Sequence, residues 1–584
     1  MRATLARATV LGAVAGCVEF LVRCDPRFGF GFLEQLTWLT LAVAAGLAVA
    51  WPFGLLAYLL RKVRHIARRS DGLVLGALLG LHIALYYRFE IVLNQPLSDP
   101  SVLGVLAAMF VCGLLIGLAM GRLLVRIGGL LPWAGFIAAF AGLLRAVPPA
   151  PTPEAGDNIL LVTWDTTRPD RLGPYGGPAS TPSLDRLAAE GAVFEAAVAT
   201  APLTEASHLS ILTGLPTVEH GVVSNATPLG ERPELLVHRL QEAGYRTGAV
   251  VSGFPLHGKY GWTQGFDVYD DDFGRLPGWH RLSLARLLDQ VFLPGNALRE
   301  RDGEVALSRA ERFLDRHAEG RFFLWVHFFD PHAPYEALDA SDAPRVGEPL
   351  DLPAYWPPYH RGITSKDWLT RAYDAELEKT DALMGRLLDS LEEHGLAETT
   401  TVVMVADHGE SLDEHGVLFD HGDDLYDPSL LIPLIVREPG MGSTRVACQV
   451  STIDIVPTLV ELHGLPVGSE QGRSLVPMLE GHSCPDVPVV ASTVGARHVD
   501  DPPVDLAWRL PDTKYIRHGD DTRPEELYDL VQDPGELLPV SDAEALQAAG
   551  ERLDLLLAGR DIVLDLALDE QDRQMLEALG YVGE

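Results

Sequence analysis

Between Leu36 and Leu60 the chain reads LTWLTLAVAAGLAVAWPFGLLAYLL, twenty-five residues without one charged side chain. A helix of this composition has no polar face to turn toward water. A bilayer core asks for roughly 20 consecutive apolar residues in helical form, because lipid offers the backbone no hydrogen-bond partner. Four similar runs surround it, at about 8–23, 73–88, 102–121 and 128–147, and with about 37–60 they make five candidate spans. The alternative, a set of buried soluble helices, lacks the polar residues needed to cover it. Residues 1–147 are therefore expected to form an all-α transmembrane domain in contact with membrane lipids.

Basic loops orient such a domain. RKVRHIARR (Arg61 to Arg69) follows the second span, and Arg122 and Arg126 lie between the fourth and fifth. Both clusters in the cytoplasm place the N-terminus inside and everything after residue 150 outside. Arg23 and Arg27 fall on the opposite side. VAGC (Val14 to Cys17) has the form of a lipoprotein cleavage box, but it continues VEFLV and then into four more spans, where a lipoprotein has a polar tether. VPPAPTPEAGD (Val147 to Asp157) reads as a Pro-rich linker leading out of the membrane, with 148–157 as its span.

The first 150 residues hold 13 Lys or Arg against 6 Asp or Glu, a net +7, so the −34 of the whole chain leaves −41 on the rest. An acidic domain of this kind repels nucleic acid. Cysteines stand at 17, 24, 112, 448 and 484 with no C-x-x-C pair. Cys448 and Cys484 could equally be a disulfide formed outside the cytoplasm or two thiols.

After the linker, apolar strands alternate with amphipathic helices. NILLVTWD, TGAVVSG, FFLWVHFFD, TTVVMVAD and PLIVREPG have strand length; SLDRLAAEGAVF, ELLVHRLQEAGY and EVALSRAERFLDRH have helical period. This alternation predicts an α/β domain with a largely parallel sheet covered on both faces. Active sites in such sheets lie at strand C-terminal ends. Asp165, Asp330 and Asp407 close three of these strands, and His408 follows the last. Near the C-terminus, KYIRHGDDTRPEELYDLVQDPGE suggests a short hairpin followed by a turn.

In order along the chain stand NILLVTWDTTRPDRLGPYG, TPSLDRLAAEGAVFEAAVATAPLTEASHLSILTG, WVHFFDPHAPY, ADHGESLDEHGVLFDHG, LYDPSLLIPLIVREPG and ELYDLVQDPGE. Together these resemble the sulfatase-like family of the alkaline phosphatase superfamily, over about residues 158–584. The resemblance implies an α/β sandwich with a smaller C-terminal sheet subdomain, divided here as 158–500 and 501–584. Five spans ahead of such a domain also resemble the lipoteichoic acid synthases and the lipid A phosphoethanolamine transferases.

Sulfatases carry C-x-P-x-R or S-x-P-x-R, whose Cys or Ser becomes formylglycine. On this chain those positions fall on Thr204, Ala206 and His208, and no cysteine lies between 113 and 447. A secondary alcohol cannot become the aldehyde. In the phosphatase, phosphodiesterase and phosphotransferase branches a Thr at this place is itself the nucleophile, and a divalent cation at its oxygen favours the alkoxide. A helix N-terminus there would turn backbone N–H groups toward a phosphate. The resemblance implies Asp165, Thr204, Asp407 and His408 as metal ligands, a set suited to Zn²⁺ or Mn²⁺. Thr166 stands where sulfatases have a second acid, which disfavours Ca²⁺. His332 and His421 are implied as contacts to the substrate anion or leaving group, or with Asp330 as holders of a second metal. His208 would replace the Arg as a switchable cation.

Duller roles remain open: Asp165 as a helix cap, Thr204 as an N-cap, His332 and His421 as structural hydrogen-bonders. His220, His327 and His415 read as structural, and Arg168 with Asp170 as a local pair. The expected function is a membrane-anchored, metal-dependent hydrolase or transferase cleaving phosphate, or sulfate, esters through a covalent Thr204 intermediate. Its rivals are a head-group transferase acting on envelope lipid or glycan, a sulfuric ester hydrolase, and a non-catalytic envelope protein of the same fold.

Overall fold

The seven-residue strands β1 (Asn158–Trp164), β5 (Phe322–Phe328) and β6 (Thr400–Ala406) are buried along their whole length. Their near-continuous apolar sequences fit strands covered on both faces. They appear in a computed structural model that describes residues 158–230, 234–273, 300–353, 356–482, 484–495, 503–520 and 522–558. The five expected spans and the 148–157 linker lie outside the described residues. Among the described residues, no helix is long and apolar enough to cross a membrane.

The chain divides into two compact units, residues 1–150, 272–298 and 569–572 in one, and 151–271, 299–568 and 573–584 in the other. Of the first, residues 272 and 273 alone are described. The second contains an eight-stranded sheet of order β4-β3-β5-β1-β6-β7-β2-β8. Its other strands are β2 (Ala192–Val198), β3 (Arg246–Val250), β4 (Val268–Asp270), β7 (Leu431–Arg437) and β8 (Thr444–Ser451). β7 pairs antiparallel with both β6 and β2, while the remaining pairings are parallel. The expected α/β class and largely parallel sheet are present.

One sheet face packs Leu160, Val162 and Trp164 against helices α1 (Pro182–Glu190), α4 (Gly303–His317) and α5 (Lys366–Glu393) in a single apolar cluster. On the other face Thr163 meets His208 of helix α2 (Thr204–Thr213). Helix α3 (Leu236–Glu242) precedes β3, as the periodicity of its segment predicts. SLDRLAAEGAVF is helical only to Glu190; its last three residues open β2. Gly191 makes that change possible, because a Cβ there would lie 2.7 Å from the Val436 carbonyl oxygen of β7.

Strands β9 (Val489–Thr493), β10 (Asp505–Arg509), β11 (Thr513–Arg517) and β12 (Glu526–Asp529) form a second, antiparallel sheet of order β12-β11-β10-β9. β11 and β12 are the expected hairpin, Lys514 opposite Tyr528. Alternation is strict: Val489, Ala491, Ala507, Ile516 and Tyr528 join Val198 and Leu430 in one cluster. Val490, Leu506, Trp508, Tyr515 and Leu527 join Ala549 and Leu553 in another, under helix α6 (Ala543–Leu557). The boundary expected at 500/501 cuts this sheet, since β9 begins at Val489 and is paired with β10.

Candidate active site and metal centre

Adjacent parallel strands bring their terminal residues side by side. Asp165 follows β1 and its N–H donates to Phe328 O at 3.0 Å; Asp407 follows β6 and its N–H donates to Trp164 O at 3.3 Å. Asp165, Asp407 and His408 each point one ligand atom inward, all within 4.8 Å of one another. His408 Nε2 lies 4.0 Å from Asp165 Oδ1 and 3.6 Å from Asp407 Oδ2. The outer atoms are held: His327 Nε2 donates to Asp165 Oδ2 at 3.2 Å, the N–H groups of His408 and Thr166 donate to Asp407 Oδ1, and His408 Nδ1 donates to Gly409 O at 2.9 Å. The inner atoms, Asp165 Oδ1, Asp407 Oδ2 and His408 Nε2, are buried without a hydrogen-bond partner.

Burial pushes the Asp165 carboxyl up, and it pushes Asp407 well above the ordinary carboxylate range with Asp165 adding to the effect. Burial, then His421, pushes His408 well below an ordinary imidazole. Two buried carboxylates this close resist joint ionisation unless a cation lies between them. Three unpartnered ligand atoms converging on one point fit a divalent cation. Gly409 lets the backbone pass there, since a Cβ would collide with the Pro428 carbonyl oxygen.

Thr204 enters from α2. The cap position belongs to Leu203, in extended conformation at φ −137° and ψ 135°, so Thr204 is the first helical residue and not the N-cap. Its Oγ1 is buried with no partner. Every residue of α2 is buried, and neighbouring bonds tie its start to the acids: Ser207 Oγ donates to Asp407 O at 2.6 Å, and His208 Nδ1, 3.5 Å from Asp407 Oδ2, donates to Thr204 O at 2.7 Å. Asp165 caps no helix, as the next turn, Pro169–Arg171, starts from Arg168.

His208 does not serve as a switchable cation. Its Nε2 is 3.0 Å from Thr163 Oγ1, which itself accepts Trp325 Nε1–H, so the network assigns the neutral Nδ1–H tautomer. Burial and then His327 push its pKa down to about 3. His208, His327 and Asp407 also converge within 4.8 Å. Both imidazoles there already use both nitrogens, His327 Nδ1 accepting Ser252 N–H, so neither has a lone pair to give a metal.

His332 and His421 meet edge to face with centroids 5.0 Å apart, and His421 lies 4.5 Å from the His408 ring. His332 donates from Nδ1 to Ala333 O at 2.6 Å and stacks on Phe329. Burial pushes it down to about 4. Burial opposes the charged form of His421 too, but the Glu410 carboxylate, 3.1 Å from Nδ1, outweighs it and raises the pKa to about 9. Asp330 is held by Lys379, whose Nζ lies 2.8 Å from an Oδ1 that also accepts Gly303 N–H, and no convergent set of possible metal ligands among the described residues includes it.

Sequence reasoning missed Glu410, though it stands in the quoted DHGE, and Tyr335, whose hydroxyl donates to Glu410 Oε2 at 3.2 Å. It also missed Asn225, which accepts Glu205 N–H at 2.9 Å at the start of α2 and leaves its buried Nδ2 without a partner. No spacing announces Asn225. Arg168 pairs with Asp170, as expected, and reaches further, to Glu410 O and Glu414. His220 bonds Ser210, and His415 stacks on Tyr426. Cys448 and Cys484 are joined as a disulfide, with Cα atoms 6.3 Å apart.

The family described as Sulfatase matches residues 157–465, more than half of the chain, and one described as N-sulphoglucosamine sulphohydrolase, C-terminal, matches 413–559. The chain belongs to the sulfatase family. It is 28% identical over 433 residues to a choline-sulfatase of Rhizobium meliloti (strain 1021), covering 66% of this chain and 82% of that protein. It is 27% identical over 404 residues to the multifunctional alkaline phosphatase superfamily protein PehA of Trinickia caryophylli, covering 55% and 77%. The fold matches that of a phosphonate monoester hydrolase of Agrobacterium radiobacter with a TM-score of 0.55 at 22% identity, over 69% of this chain and 95% of that one.

Proposed function

We propose that the protein is a membrane-anchored, divalent-metal-dependent hydrolase or transferase of phosphate esters, with Thr204 as its attacking group. The observation that carries this reading is the set of four buried, unpartnered atoms at the strand ends and the start of α2: Asp165 Oδ1, Asp407 Oδ2, His408 Nε2 and Thr204 Oγ1. Asp165, Asp407, His408 and Thr204 would hold a Zn²⁺ or Mn²⁺ ion. Such a cation lowers the pKa of a nearby hydroxyl and offsets charge on phosphoryl oxygens.

The chain's own groups do the rest. Thr204 Oγ, as the alkoxide, attacks phosphorus; the new P–O bond forms as the bond to the ester oxygen breaks. The departing alkoxide takes the proton of His421, the imidazole of this site that Glu410 keeps charged. Water or an acceptor hydroxyl then attacks the phosphothreonine and gives its proton to His421, and Thr204 leaves again as alkoxide. His332 orients the anion. Glu410 and Tyr335 hold His421 in place.

Membership of the sulfatase family and the likeness to a choline-sulfatase support sulfate esters as a second reading. Transfer of a lipid head group to envelope lipid or glycan is supported by the apolar first 147 residues. The Cys448–Cys484 pair supports a catalytic domain outside the cytoplasm.

The test is a panel of aryl phosphate monoester, diester and sulfate, run with and without added metal on the wild type and Thr204→Ala. Loss of turnover on the order of a thousandfold or more in the variant is expected. Equal rates in both proteins remove Thr204 from the reaction, and a preference for sulfate replaces the substrate assignment. Product analysis with acceptor lipid present separates transfer from hydrolysis.

A further inference from the structure

Helix α5 grips the loop that carries His332 at both ends. At the loop's start, Asp330 Oδ1 lies 2.8 Å from Lys379 Nζ and accepts Gly303 N–H at 3.2 Å, at the first turn of α4. At its end, the N–H groups of Glu336 and Ala337 both donate to Glu376 Oε1 at 2.5 Å. Glu376 and Lys379 stand one turn apart on α5, with Oε2 and Nζ 3.7 Å from each other. Between the two anchors lie His332 and Tyr335.

Asp330 and Glu376 are 2% exposed at their side chains and Lys379 is 38% exposed, so a single lysine at the rim compensates two buried carboxylates. The same helix holds the loop after β1: Tyr373 donates its hydroxyl hydrogen to Thr166 O at 2.7 Å and accepts Arg168 N–H, while Asp374 pairs with Arg171.

We propose that Glu376 and Lys379 are positioning residues for the reaction: together they fix the span 330–337, so that His332 is presented to the anion site, and Tyr335 to Glu410, in one orientation. Neither reaches the reacting atoms, and the inference rests on the preceding reading, in which His332 contacts the substrate anion. A mutation remote from the chemistry acts through displacement, and about 1 Å of it lowers rates on the order of 100-fold.

The test uses the full chain in detergent as wild type, Lys379→Met, Lys379→Arg and Glu376→Gln. It reads kcat and KM for an aryl phosphate, metal content, and amide exchange across 330–337. Lys379→Met is expected to lower kcat/KM by about 10- to 100-fold with metal content unchanged and exchange at Glu336 and Ala337 increased. Lys379→Arg, which keeps the charge, is expected to recover most of the loss. Unchanged kcat/KM in a folded Lys379→Met, or an equal loss in Lys379→Arg, overturns the proposal. Should Lys379→Met not fold, Glu376→Gln decides: faster exchange with lower kcat/KM supports the clamp, and wild-type values of both overturn it. A wild type inactive on every ester sinks the phosphate-ester reading alone, and calorimetric binding of inorganic phosphate then replaces kcat/KM. Equal affinity in wild type and variants overturns the clamp, weaker binding in the variants supports it, and no binding by the wild type overturns both.

Discussion

A buried hydroxyl without a partner costs about 1–3 kcal/mol, and the Thr204 hydroxyl is in that position without a bound cation. Function and stability therefore pull Thr204 in opposite directions. Thr204→Val is close to isosteric and removes the orphaned oxygen. In the presence of a chelator, its thermal midpoint is expected to equal or exceed that of the wild type, while ester turnover is lost. Thermal denaturation with and without chelator checks this, and a midpoint several degrees below the wild type in chelator would show that the hydroxyl is satisfied within the fold. His208 teaches the complementary lesson. Its sequence position suggests a cation in place of an arginine, but burial and then His327, which is far off in the chain, keep the ring neutral.

At the scale of elements, the strand ends were legible and α5 was not. β1, β5 and β6 announce themselves as unbroken apolar runs, so the acids closing them stand out in the sequence alone. α5 buries Asp374, Glu376 and Asp381 on its inner side among Leu369, Leu377 and Leu387, and those acids disguise the apolar stripe that helical periodicity depends on. The acids belong there because each accepts backbone or arginine N–H groups. Asp381, for one, takes those of Ser183 and Leu184 at the start of α1. α2 was equally silent to periodicity, being buried on all sides, and was legible only through the family's motif.

The second sheet yields a pH prediction of its own. His518, after β11, bridges Asp505 of β10 and Glu526 of β12 at 3.1 and 3.0 Å, and these bonds raise its pKa to about 9. A raised folded-state pKa contributes stability that is full below the unfolded value near 6.5 and disappears as pH rises through about 9. The thermal midpoint is expected to fall over that interval, and more steeply in the wild type than in His518→Gln. Parallel pH profiles for the two proteins would exclude the bridge as the cause.

Over the whole molecule, a buried ionic cluster pins the second sheet to the first. Asp427, just ahead of β7, accepts two bonds from Arg509 of β10 at 2.9 and 2.8 Å and one from Lys514 of β11 at 2.9 Å; Lys514 also lies 2.7 Å from Glu536. Burial opposes the Asp427 charge, but Lys514 and Arg509 outweigh it and hold this carboxyl well below the usual range. Removing Asp427 leaves the Arg509 guanidinium buried without its carboxylate, while Lys514 keeps Glu536; breaking a buried pair in this way costs about 3–5 kcal/mol. Asp427→Ala is expected to lose that much in urea unfolding, and a loss under about 1 kcal/mol would place the cluster's charges in solvent instead.

Basic residues at Arg61–Arg69 and at Arg122 and Arg126, each following an apolar run, are the grounds for proposing that the acidic domain lies outside. The five proposed spans would put the two ends of the segment on opposite faces. The Cys448–Cys484 pair is consistent with that compartment, because cytoplasmic thiols are kept reduced. With intact cells, an impermeant maleimide is expected to label Cys448 and Cys484 only after mild reduction, and added protease to remove the catalytic domain. Labelling of both cysteines only after lysis, without reductant, would place the domain in the cytoplasm and make the envelope substrates unreachable, whatever chemistry Thr204 performs.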